Sequence, residues 1–207
     1  MTAPLILFLA AAVIPVFFGR TRSAPFWLLV QGIALGWVGV AYHGLLSGHA
    51  FAAFAETLVV RALIAPQLVR LAIRRRSEPN PDLMPSNLFA WAIATALIVL
   101  AFEFGAPDAG GRHALTLGVV GATVAVSLML LAANDSPPAQ LVALLFMENA
   151  IALFESLLPE PWPLPVHAAL AVIYLLTVAV GAWLVGAPER PVATRSTDVR
   201  ITPEPDA

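Results

Sequence analysis

Three observations predict an all-α bundle of about seven membrane-spanning helices. Of the 207 residues, 59% are hydrophobic, and the mean hydropathy is +0.84. These residues are gathered into successive runs close to the ~20 residues that an α-helix needs to cross hydrocarbon. No segment shows the apolar/polar alternation over ~10 residues that a transmembrane β-barrel requires.

The spans are expected at residues 4–18, 26–46, 50–73, 87–104, 113–133, 139–158 and 166–185. The first run has no basic segment before it, so it is read as a retained span rather than a cleaved leader. Glycine and proline mark the joints: Gly48, then Pro79, Pro81 and Pro85, then Pro107 with Gly110 and Gly111, then Pro137 and Pro138, and a proline-rich stretch at 159–165. Residues 1–186 form one transmembrane helical domain, and the proline- and charge-rich tail 187–207 is expected to be disordered.

All eleven basic residues are arginine, and there is no cysteine. Lacking cysteine, the chain cannot build thiolate metal sites, cysteine-held iron–sulfur clusters or thiol catalysis. The seven-span arrangement places Arg20, Arg22, Arg70, Arg74, Arg75, Arg76, Arg190, Arg195 and Arg200 on one side. The positive-inside rule makes that side cytoplasmic, with the N-terminus outside and the C-terminus inside.

Charged residues within the spans are the strongest functional signal. Glu56 and Arg61 lie in the third span, and Glu148 and Glu155 in the sixth. A charged side chain at a helix centre costs about 3 kcal/mol or more, so such residues usually face the bundle interior and mark an ion or proton path. Arg61 either pairs with Glu56 or Glu148 to lock two helices, or belongs to a polar site beside the break that Pro66 makes. Pro66 has no N–H to offer the carbonyl of Ala62. Glu148 sits near its span's centre, where it is the candidate titrating group, and its neighbour Asn149 can hydrogen-bond to an adjacent helix. Glu155 lies seven residues on, on the same face and nearer the membrane surface, where an interfacial, solvated carboxylate is the simpler reading. His43, His49, His113 and His167 all fall at outer span ends and are read as interfacial residues rather than haem or metal ligands. Gly32, Gly36 and Gly39 allow close helix approach, either within the chain or to another subunit.

Met147-Glu148-Asn149-Ala150-Ile151 resembles a segment of the E-type membrane subunit of hydrogenase 4 complexes. Arg61 with Ile64, Pro66, Leu68 and Arg70 resembles that family's earlier pattern of a basic residue, a proline and terminal arginines. The C-terminal half, about residues 113–186, is also similar to the K subunit of bacterial complex I and the C subunit of Mrp-type antiporters. The resemblance implies a multi-pass subunit of the bacterial inner (cytoplasmic) membrane. It would sit beside antiporter-like and hydrogenase or complex I-like subunits and contribute to proton or Na⁺ translocation. It would hold no redox cofactor and would be a non-catalytic part of an oxidoreductase complex. Two positions depart from the family: Arg61 stands where lysine is usual, and span seven has no carboxylate. The relay's second acid is then absent, or Glu155 replaces it. A structural or assembly subunit is the alternative, and a stand-alone transporter has no internal repeat to support it.

Overall fold

The computed structural model describes residues 2–44, 48–75, 83, 88–104, 111–158 and 163–187. The described residues form helices α1 (Thr2–Phe18), α2 (Ala24–His43), α3 (Gly48–Glu56), α4 (Ala65–Arg75), α5 (Leu88–Phe104), α6 (Arg112–Ala133), α7 (Pro137–Glu155) and α8 (Leu164–Gly186). A π-helical segment, Thr57–Ile64, joins α3 to α4, so these three make one rod and the bundle has seven rods. This is the predicted all-α architecture. Five rods are long and apolar enough to cross a membrane, as in an integral membrane protein; α1 and α5 are shorter apolar helices. Arg76, Arg190, Arg195, Arg200 and the tail 188–207, all used in the sequence argument, lie outside the described residues.

Local chemistry sets the rod ends. Pro25 occupies the first turn of α2, Pro137 and Pro138 open α7, and Pro165 opens α8. At these positions the missing N–H costs nothing, because first-turn donors have no partner within the helix. Gly44 stops α2 with φ of 69°, a conformation glycine adopts without strain, and its N–H closes on Val40 at 2.8 Å. The sixth span was expected to run to Leu158. Instead α7 ends at Glu155, and tighter bonds from Ser156, Leu157 and Leu158 to the residues three before them finish the turn.

The rod 48–75 shows how Pro66 acts. Its ring would strike the carbonyl of residue 62, and it offers no N–H to the turn before it. The helix widens ahead of the proline rather than breaking at it. Ala65 N–H accordingly bonds to Val60, five residues back.

α2 is the hub. It packs on α1, the π segment, α4 and α7, while α6 joins α1 and α7 on the other side. At Gly32 a Cβ would lie 2.8 Å from the Cα of Ala62, so only glycine allows the two backbones to approach this closely. α5 and α8 are edge helices, resting mainly on α6 and α4 respectively. Their outer faces are apolar and exposed, including Leu88, Phe89 and Phe104 on α5 and Ile173, Leu176 and Trp183 on α8. Hydrocarbon is the solvent such surfaces fit. Leu83 is buried at the arginine-bearing end. Its N–H bonds to Gly19 at 3.0 Å and its carbonyl accepts from the Asn134 amide.

Candidate functional site

Among the described residues, the charged side chains inside the bundle fall into two groups. The deeper one centres on Arg61, only 8% exposed, which the π segment aims at α7 and α8. Its Nη1 donates to Asn149 Oδ1 at 3.2 Å and to the backbone carbonyl of Glu148 at 3.4 Å. Asn149 Nδ2 in turn donates to Gln31 Oε1 at 2.9 Å, extending the chain to α2. The guanidinium lies 4.1 Å from the centroid of the Tyr174 ring on α8. A cation over an aromatic face is stabilised by the ring quadrupole, by about 2 kcal/mol when water is excluded. One arginine thus ties α2, the third rod, α7 and α8 together. Gln31 Nε2 and the Tyr174 hydroxyl are buried with no hydrogen-bond partner among the described residues. A water molecule with suitable neighbours commonly fills such gaps.

The second group lies toward the end that carries His43. A cavity of about 290 Å³ is lined there by Glu56, Thr57, Arg61, Glu155, Ser156 and His167, with apolar walls that include Leu35, Phe54 and Leu170. His167 stands between the two acids. Its Nδ1 is 3.3 Å from Glu155 Oε1, and its Nε2 is 3.4 Å from Glu56 Oε2. All three side chains are about one-fifth exposed. An imidazole with a carboxylate at each nitrogen can donate to both only as the doubly protonated cation. The neutral ring leaves one carboxylate facing a lone pair. The bridge therefore couples a proton on His167 to the contact between α3, α7 and α8.

The π segment is why both groups share one cavity. In an ordinary α-helix, residues five apart point about 140° away from each other. Bonding to the fifth residue widens the turn, and both Glu56 and Arg61 reach the cavity. Such widened turns recur at functional positions.

The expected ion pair of Arg61 with Glu148 or Glu56 is not formed. The guanidinium meets Glu148 only at its backbone carbonyl and is otherwise held by an amide and an aromatic face. The physical reason is that α7 turns Asn149 inward, where it is fully buried, and leaves the Glu148 side chain half-buried at the rim of the helix interface. Among the described residues the Glu148 carboxylate has no hydrogen-bond or ion-pair partner, and it is not one of the residues lining the cavity. Glu155, the last residue of α7, is half-buried and engages His167 at 3.3 Å. Equally, His167 is not an isolated interfacial residue. His113 stacks on Tyr42, with centroids 6.2 Å apart, and the side chain of His49 lies outside the described residues. Gln31 and Tyr174 were missed as members of the Arg61 group. A lone glutamine within an apolar span was the available signal for Gln31. No cluster of His, Asp or Glu suited to a metal ion occurs among the described residues.

No protein-family model matches the chain, and no curated protein or solved structure is significantly similar to it.

Proposed function

We propose that this integral membrane protein passes protons between the His43 end of the bundle and its interior, as a subunit of a multisubunit hydrogenase, complex I or Mrp-like assembly. The single observation that carries the proton-handling part is the Glu56–His167–Glu155 bridge over a cavity that reaches Arg61. Histidine can gain and lose a proton, and two flanking acids can hand a proton to it and receive one from it. A cation such as Na⁺ would have to displace or repel the imidazolium, so the chemistry favours H⁺. Arg61 stays protonated, and its fixed charge at the cavity floor discourages cations from leaking deeper. The assembly part rests on the resemblance of Met147–Ile151 and its surroundings, as do the bacterial inner membrane and the antiporter-like neighbours.

A structural subunit is the second reading, favoured by the Arg61–Asn149–Gln31–Tyr174 group. That group contains no facing acid and base to exchange a proton, and it locks four helices. Purification in mild detergent, with identification of co-purifying subunits, tests the assembly. Reconstitution of the same material into vesicles, with and without His167→Gln, tests proton handling. Lost flux with an unchanged subunit set supports the first reading; unchanged flux supports the second.

A further inference from the structure

The cavity at the His43 end has more room and more hydrogen-bonding capacity than a proton bridge uses. Its volume of about 290 Å³ is twice the ~150 Å³ of an apolar protein cavity that takes up benzene. Gly39 of α2 lines it, and a Cβ there would meet no atom within 4 Å, so the space lies open above the helix backbone. Leu35, Phe54, Leu170 and Ala171 make its walls apolar. The charged and titratable side chains around it are His43 from α2, Glu56 and Arg61 from the third rod, Glu155 from α7 and His167 from α8. Glu56 Oε1 is buried and has no hydrogen-bond partner among the described residues, while Oε2 is the oxygen that faces His167. Burying a carboxylate oxygen without a donor is costly. The state of His167 decides which donor fits. As an imidazolium it balances the two acids together with Arg61. When the ring is neutral with Nδ1–H on Glu155, Glu56 faces the Nε2 lone pair, and two carboxylates against Arg61 leave one negative charge. Both Glu56 oxygens and that nitrogen are then acceptors, and a primary ammonium has three donors to meet them.

We infer that this cavity is a binding site for a protonated primary amine with a small apolar body, which enters as His167 gives up a proton. The ammonium donates to Glu56 and to the imidazole, so the bridge stays in place, and its hydrocarbon lies against Leu35, Phe54 and Leu170. Hard metal cations surround themselves with about six oxygens, which walls of this kind do not supply. Arg61 at the floor repels a second positive charge, so a monoamine fits better than a diamine. The exchange is balanced: one positive charge arrives, and one proton leaves the imidazolium for solvent. Proton handling at this site thereby becomes the exchange of protons for an organic cation. The inference rests on the reading that His167 holds an exchangeable proton, but binding is measured without any flux.

The test titrates the full protein, purified in mild detergent with its accompanying subunits, with phenethylamine, an alkylammonium at neutral pH. Calorimetry reads affinity, and a pH-sensitive dye in weak buffer reads proton release. Saturable binding should release about one proton per amine, as competition between a proton and a cation requires. Phenethyl alcohol, which is uncharged, and phenyltrimethylammonium, which has no N–H, should each bind about tenfold more weakly or worse. Glu56→Gln should lower affinity by about tenfold or more. Gly39→Leu fills the space without meeting backbone, so it should abolish binding while thermal stability is kept. His167→Gln should still bind the amine and release no proton. Absence of saturable binding, equal binding of the alcohol, unchanged affinity in Glu56→Gln or binding without proton release would overturn the inference. Proton flux that depends on His167 in a protein that binds no amine would end this inference and leave the proton reading standing. Amine binding with proton release, beside flux that His167→Gln leaves unchanged, would do the reverse.

Discussion

The two polar regions of this bundle solve the same problem in opposite ways. At the cavity, Glu56, His167 and Glu155 answer charge with charge, and each keeps some access to the opening. At the centre, Arg61 is almost fully buried and is answered by an amide, a carbonyl and a ring face. Room for water explains the difference: titrating groups need a proton source, while a permanently charged guanidinium needs only donors satisfied and an aromatic surface. The cavity can therefore change its charge without rebuilding the bundle. The centre cannot.

The largest effect that would break this contrast is at Arg61. Arg61→Ala strips the Asn149 oxygen of its donor and empties the space over Tyr174, which should cost about 3 kcal/mol or more in stability. Thermal unfolding in detergent measures this; a loss under half that figure would mean that Arg61 does not hold the helices together. Next comes the glycine series on α2. Gly32→Ala places a methyl against the backbone of Ala62 and should cost about 1–3 kcal/mol, because overpacking displaces the π segment that aims Arg61. Gly36→Ala should cost less, since its Cβ would meet only side chains of Leu58 and Phe54 at 3.3 Å. Gly39→Ala should be neutral, as nothing lies within 4 Å. Equal losses at all three would refute the close contact at Gly32. The smallest effect sharpens the role of Tyr174. Tyr174→Leu removes the ring beneath the cation and should cost about 1–2 kcal/mol. Tyr174→Phe removes only a hydroxyl without a hydrogen-bond partner among the described residues, so it should change stability by about 0.5 kcal/mol or less.

Much of this was legible in the chain. Run length and composition gave seven rods, and the proline and glycine joints gave their ends to within a few residues. What the sequence could not show was the partner of each charge. Glu148 and Asn149 are adjacent, and a rotation of α7 by one residue would exchange their places at Arg61. That rotation is decided by how Leu145, Phe146 and Leu153 pack, a tertiary matter. The nearness of Glu56 to His167 was equally hidden, because the two residues are distant in the chain and meet only where α3 and α8 converge. The π segment was half visible: Pro66 announced a disturbance but not its position one to two turns upstream.

Proton flux in vesicles carrying the purified protein with its native partners, compared between wild type and His167→Gln, tests the central claim most directly. Glutamine keeps hydrogen-bonding capacity between Glu56 and Glu155 and cannot carry a proton at neutral pH. The account predicts flux lowered by about tenfold or more, given what a positioned acid–base group usually contributes, with subunit composition and thermal stability nearly unchanged. Unchanged flux in an intact assembly would contradict it and would make the histidine bridge a fastening between helices.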